Sequence, residues 1–368
     1  MASASPLTVQ RSLSASAARI EALEGEWGPY APELTPVLTE AAREAEEYGE
    51  TDTALDLYRW ALHSTRINRG LSTADQLPLL ERMLGLLRDR GDREELSNQI
   101  DYFYRLLGRG AQPWTEQRLN ASVRWLSVQG ELLASAPWRG RESEVLFVLE
   151  HASDLAEAVC SDDQWSIHWC KPLTLELVKL FYLLDYRIDP LVVDEFGVAR
   201  DRYNSPYQQN LDQSPGEYRL RSMEKSARSR VRGFIDRALE VVPGDAELLL
   251  AKGDWLLARG RRSQALEIYA ELNGRGDLDF SSPRPVPEVP ALGRDRRLSD
   301  ATSVVNISAL VTARGDLRDL DVSEPGIDEK PLAGYAKRQL REVRIRPALD
   351  GNGEPKDAVI HWRVLVTR

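Results

Sequence analysis

The residues of this chain best suited to covalent chemistry are few, and their spacing does not favour it. Ser222-Met223-Glu224-Lys225 sets a Lys one helical turn after a Ser, as in acyl-transfer enzymes where the amine assists a Ser nucleophile. That chemistry also needs Ser-Asp-Asn and Lys-Thr-Gly elements, and neither tripeptide occurs. Ser222 and Lys225 are therefore expected on a solvated helix face. No Gly-x-Ser-x-Gly elbow, Walker loop or His-Glu-x-x-His helix is present. His63, His151, His168 and His361 are too scattered to pair a base with an orienting carboxylate. The sequence predicts no catalytic residue, no cofactor and no enzyme.

Cys160 and Cys170 are the only cysteines. With His151 and His168 they offer two sulfurs and two imidazoles, but the order matches no common zinc spacing, so no metal site is expected. Their separation across a short loop between two apolar helical stretches fits a disulfide in an oxidising compartment, and equally two buried thiols.

Charge is the other candidate for function. The chain has 368 residues and a formal charge of −10, which argues against a general nucleic-acid binder. Within it, Glu217–Arg237 is locally basic, with Arg219, Arg221, Lys225, Arg228 and Arg232 as the candidate patch and Arg230 and Arg237 beside them. Such a patch suits an anionic head group or an acidic helix, or else its arginines pair with acids on neighbouring helices. The longest apolar run, Leu173–Leu184, is too short to span a bilayer and carries Glu176 and Lys179. Met1–Pro6 lacks the basic and apolar regions of a signal peptide, which fits a cytoplasmic protein or a mature exported one.

The elements that must position these residues fall into two kinds. Up to about Phe280 the pattern is helical, broken by Gly, Pro and Asp-rich turns. Leu38, Ala41, Ala42 and Ala45 face Ala54, Tyr58 and Ala61 across Gly49–Asp52. Leu249, Gly253 and Leu256 face Ala265 and Tyr269 across Gly260, and Ala238 to Leu272 is one 34-residue period. These stretches resemble tetratricopeptide (TPR) repeats, so residues 1–280 are expected to form a TPR-like α-solenoid. Asn204–Glu217 is a polar insertion, and 281–300, with prolines at 283, 285, 287 and 290, is expected to be a stiff linker.

Residues 301–368 change period. Val305, Ile307, Ala309 and Val311 alternate with more polar neighbours, Gly315 marks a turn, and Leu317–Ser323 resumes the strand. Leu332, Tyr335, Ala336, Gln339 and Leu340 follow at helical spacing, and Ala358–Thr367 alternates again. Val311-Thr312-Ala313-Arg314-Gly315-Asp316-Leu317, then Arg346-Pro347-Ala348 with Gly351, Gly353 and Pro355, resemble the C-terminal domain of TonB-family proteins in order and spacing. The Tyr-Pro element common in that family is absent from Pro290–Asp295.

The overall expectation is an α+β chain, mostly α, ending in a small TonB-like ββαβ domain. The resemblance implies a periplasmic, non-enzymatic adaptor or scaffold of a Gram-negative envelope. It would bind proteins or peptides through a groove and through the terminal strand, with Val359, His361, Arg363 and Leu365 on one face of that strand. The second reading is an auxiliary component of TonB-dependent transport that takes a peptide of an outer-membrane transporter. A cell-envelope hydrolase is the third. No transmembrane segment is expected, and no residue pattern fixes an oligomeric state.

Overall fold

The computed structural model describes residues 6–134, 141–185, 215–286, 302–323 and 344–367. The described chain is mostly helical, with a small sheet-bearing region at its C-terminal end. The helices are α1 (Pro6–Trp27), α2 (Leu34–Glu47), α3 (Thr51–Arg69), α4 (Leu77–Arg90), α5 (Arg93–Leu106) and α6 (Glu116–Ala134). Next come α7 (Glu142–Cys160), α8 (Ser166–Asp185), α9 (Pro215–Val241), α10 (Ala246–Ala258) and α11 (Arg262–Arg275). The strands are β1 (Arg284–Val286), β2 (Thr302–Val311), β3 (Leu317–Ser323), β4 (Arg344–Arg346), β5 (Ala348–Leu349), β6 (Pro355–Lys356) and β7 (Ala358–Thr367).

Local chemistry sets the helix limits. Gly91 ends α4 in the left-handed conformation, and the Asp92 carboxylate accepts the Glu95 N–H to open α5. Asp245 does the same for α10, accepting from the N–H groups of Glu247 and Leu248. Small residues decide how closely helices pair. Ala41, Ala42, Ala45, Ala54 and Ala61 are all buried between α2 and α3. In the α10–α11 hairpin a Cβ at Gly253 would lie 2.6 Å from Cε1 of Tyr269, so only glycine admits that ring.

The chain divides into two compact units, Met1–Val128 and Gln129–Arg368. This division differs from a boundary in the Pro-rich stretch at 281–300. The first residues of that stretch are no linker: β1 pairs antiparallel with β4, Arg284 to Arg346 and Val286 to Arg344. Phe280, Pro283 and Val286 are buried, and the Phe280 carbonyl accepts the Leu349 N–H at 2.8 Å. Apolar residues three apart outweigh the stiffening effect of the prolines, and Pro285 is tolerated because, among the described residues, β1 is paired on one side only.

β2 is central in an antiparallel sheet of order β3-β2-β7. The turn at Gly315 (φ +77°) joins β2 to β3, where the Gly315 N–H donates to the Thr312 carbonyl and a Cβ would meet the Ile345 carbonyl at 2.4 Å. β3 carries a bulge: two residues, Asp319 and Leu320, stand opposite Ala309 alone, and Asp319 has φ 49°. One face of the sheet packs Ala309, Val311, Ile345 and Ile360 with Leu317, Leu320 and Trp362. The helix expected at Leu332–Leu340 lies outside the described residues.

Candidate functional site

The terminal strand is the first candidate. β7 pairs with β2 over ten consecutive positions, from Thr367 opposite Thr302 to Ala358 opposite Val311. Among the described residues no strand pairs with its other side. The two edges of the sheet differ in kind. β3 is seven residues long, bulged, and carries Arg318, Asp319 and Asp321, devices that discourage further pairing. β7 is longer and unbroken. Its buried face holds Ile360, while Val359 is 60% exposed and His361 is also exposed. Across the outward face Val359 stands opposite Leu310, and His361 opposite Ser308. Arg363 and Leu365 lie opposite Asn306 and Val304 in the backbone register; their side chains are outside the described residues.

The basic candidates all fall on α9, but their surroundings differ. Arg219 pairs with Glu150 at 2.6 Å and Arg237 with Glu157 at 3.5 Å, both acids on α7. Arg232 shares Asp236 at 3.4 Å with Lys252, which is nearer at 2.7 Å. Arg221 is half-buried and engaged, whereas Lys225 is exposed. The Arg228 side chain lies outside the described residues. One flank of the patch is thus neutralised by the neighbouring helix. Ser222 and Lys225 both lie on the exposed surface of α9.

Cys160 closes α7, Cys170 lies in the second turn of α8, and a disulfide joins them. Both are buried against Ala238 and Leu248. With the sulfurs bonded to each other, neither is available as a thiolate ligand for a metal. His151 stacks on Phe147 instead, with ring centroids 5.7 Å apart.

Two carboxylate clusters were not visible in the sequence. In the first, Tyr58 of α3 donates to Glu46 of α2 at 3.0 Å, and Arg82 of α4 reaches the same carboxylate at 3.4 Å. In the second, Tyr269 of α11 donates to Asp254 of α10 at 2.7 Å, and Arg346 of β4 makes two bonds to that carboxylate at 3.1 and 3.0 Å. Each is a tyrosine and an acid within one hairpin, closed by an arginine from further along the chain. Burial pushes the Tyr58 hydroxyl well up, with the bond to Glu46 adding to it. Burial and the Asp254 charge do the same to Tyr269. Neither phenol is poised to ionise, so these tyrosines act as hydrogen-bond donors. The tyrosines were legible at matching positions, but the acids sit at different offsets and the arginines 36 and 92 residues away.

No protein-family model matches the chain, and no curated protein matches it.

Beside the first cluster, Thr39, Glu40, Arg43, Tyr58, Pro78, Leu79 and Arg82 line a cleft of about 220 Å3 among α2, α3 and α4. Its charges are matched: Arg43 pairs with Glu40 at 2.6 Å, and Arg82 with Glu46. Such a lining can hydrogen-bond an extended polypeptide, and it offers no activated nucleophile.

Proposed function

We propose that this chain is a non-enzymatic adaptor of a bacterial periplasm, built from a TPR-like helical array and a TonB-like C-terminal module. The observation that carries the reading is β7: a long, unbulged, largely apolar strand at a sheet edge, where the opposite edge is bulged and charged. Strand addition to such an edge supplies main-chain hydrogen bonds, and the alternating side chains supply selectivity.

The helical array is supported by repeated contacts in the first unit. Glu46 to Arg82 and Arg59 to Glu95 each join the α2–α3 hairpin to the α4–α5 hairpin across 36 residues. Glu81 and Arg124 continue the lacing to α6 at 3.8 Å. An ion pair repeated at constant separation is what equivalent positions of stacked hairpins produce. The buried disulfide supports an oxidising compartment, because reducing cytosol keeps such thiols apart. No helix among the described residues is long and apolar enough to cross a membrane.

The test keeps the full chain intact. A photo-crosslinking residue replaces Val359 in one variant and Glu40, at the α2–α4 cleft, in another, and each is irradiated in a Gram-negative envelope fraction. The expected result is a discrete protein adduct at each position, with different masses. An outer-membrane transporter at Val359 would identify the auxiliary-transport reading. Adducts only between copies of the chain, or none at either position, would overturn the adaptor.

A further inference from the structure

We propose that the strand added to β7 belongs to a different polypeptide, carries acidic side chains at alternate positions, and is held by the backbone of Val359 and His361. This rests on strand addition as proposed above and names the partner that the edge takes. The direction of each backbone group on β7 follows from the β2–β3 turn. The Thr312 N–H donates to the Asp316 carbonyl at 3.0 Å, so even-numbered residues of β2 turn their N–H and C=O groups toward β3. Odd-numbered residues turn theirs the other way, and just past β2 the Ala313 N–H does the same, donating to the Asp357 carboxylate at 2.6 Å. Val311, Ala309 and Ile307 stand opposite Ala358, Ile360 and Trp362, which are therefore the β7 residues bonded to β2. Val359 and His361 aim their N–H and C=O groups at the edge that no described strand covers. Their side chains, both exposed, lie on the outward face. The same residues thus present the main-chain groups and the side chains that an added strand meets.

In backbone register this row of residues continues as Val359, His361, Arg363 and Leu365, an order of apolar, basic, basic and apolar types. A second copy of β7 is the poorer occupant. The two antiparallel registers that keep all but one of its ten positions set His361 opposite Arg363, or Arg363 opposite itself. Like charges directly opposite each other destabilise a sheet, and two copies of a chain of charge −10 also repel. An acidic strand reverses the sign of the local contact, with carboxylates opposite His361 and Arg363 and apolar residues opposite Val359 and Leu365. Because the order reads alike from both ends, the partner pattern is the same for a parallel or an antiparallel strand. The charges on β3 do not undo this. Strands lie about 4.8 Å apart, so an added strand is one spacing from the β7 row and about 14 Å from Arg318, Asp319 and Asp321, beyond the screening length at physiological salt. Asp357, just before β7, is engaged by the Ala313 N–H.

Two labelled synthetic peptides with blocked termini, Val-Thr-Glu-Thr-Glu-Thr-Val and Val-Thr-Lys-Thr-Lys-Thr-Val, test the proposal on the full chain at physiological salt. Fluorescence anisotropy reads binding, and hydrogen exchange reads the amides of β7. The acidic peptide is expected to bind at least about five-fold more tightly than the basic one. It should protect the Val359 and His361 amides, which exchange faster than those of Ile360 and Trp362 in the chain alone. Val359→Pro and His361→Pro should each weaken binding roughly ten-fold and leave the melting midpoint in place, because the lost N–H served only the added strand. Ile360→Pro removes an N–H bonded to β2 and should lower the midpoint. Equal binding of the two peptides, no binding, or full binding by folded proline variants overturns the proposal. Faster exchange at Ile360 and Trp362 than at Val359 and His361 refutes the backbone assignment on the unaltered chain, even if a variant misfolds. The photo-adduct at Val359 is read separately: an adduct there, together with indifference to peptide charge, keeps the adaptor and removes only its acidic partner.

Discussion

Lys171 and Asp245 illustrate how a single side-chain pair joins distant parts of the second unit. Asp245 opens α10, and its carboxylate also takes the Lys171 ammonium at 2.7 Å, 74 residues away. Burial alone would raise the Asp245 carboxyl. The Lys171 hydrogen bond and the N–H groups of Leu248 and Glu247 outweigh burial and hold it below the usual carboxylate range. Lys171 is held above the usual lysine range, first by its bond to Asp245 and against a smaller burial effect. The depressed carboxyl contributes stability above its unfolded value of about 4, lost as pH falls through the folded value. The raised amine contributes below about 10.4, lost as pH rises through its own folded value. The pair's contribution is thus level across neutral pH and declines at both extremes. Asp245→Ala removes the cap and the pair and should cost about 1–2 kcal/mol at neutral pH, whereas Asp245→Asn keeps the cap and should cost less. Urea melts across pH check this; an Asp245→Asn protein as sensitive to acid as the unaltered chain would refute the assignment. An acid before an apolar run is legible in sequence as a cap. Its second partner is not, because only the packing of α8 beside α10 brings Lys171 near.

At the scale of elements, periodicity and small residues carried much of the fold. The α2–α3 and α10–α11 hairpins follow from their alanines, Gly253 and the turn glycines, and the β2–β3 hairpin follows from alternation around Gly315. Two features were hidden. Composition marked 281–300 as linker, but β1 exists because Val286 and its neighbours have β4 to pair with, a partner about sixty residues later. The basic run on α9 looked like one patch, yet its flank is spoken for by acids on α7 that no local pattern reveals. Cys160 and Cys170 left open a disulfide or buried thiols, and the hairpin of α7 and α8 brings them into a bond. That crosslink closes a short loop, so replacing both cysteines by Ala should cost about 2–3 kcal/mol. The measurement is the midpoint of thermal unfolding, with and without reductant. Reductant should lower the midpoint of the native chain and leave the double variant unchanged. An equal midpoint for the two proteins would mean the crosslink contributes nothing to stability.

At the scale of the molecule, the sheet-bearing region was expected to hang from the helices as a separable module, and the second unit argues otherwise. Arg346, with 9% of its side chain exposed, lies over the rings of Tyr269 and Phe280 and is doubly bonded to Asp254. Arg262 of α11 donates to the Ala313 carbonyl in the β2–β3 turn, and Asn273 to the Asp350 carbonyl at 3.2 Å. Gly353 packs on Ala270, where a Cβ would lie at 3.3 Å. The β4 arginine thus gives the last hairpin the contact that Arg82 of α4 gives the α2–α3 hairpin. In a stacked array the terminal hairpin would otherwise leave an apolar face uncovered. Deleting Ala291–Arg368 should therefore not leave an undisturbed helical protein. It would uncover Phe280 and Val286 and leave the Asp254 carboxylate without its cation. The truncated chain is expected to bind a hydrophobic dye and to lose cooperative melting of α10 and α11. In the full chain, Arg346→Met should cost about 3 kcal/mol, because one partner of a mostly buried pair is left behind. Hydrogen exchange then separates the alternatives. If α10, α11 and the strands form one cooperative block, Arg346→Met accelerates exchange in all of them together. If exchange rises in β4 alone while the helices keep their protection, the sheet is an appendage after all and the coupling drawn from Asp254, Tyr269 and Arg346 is wrong.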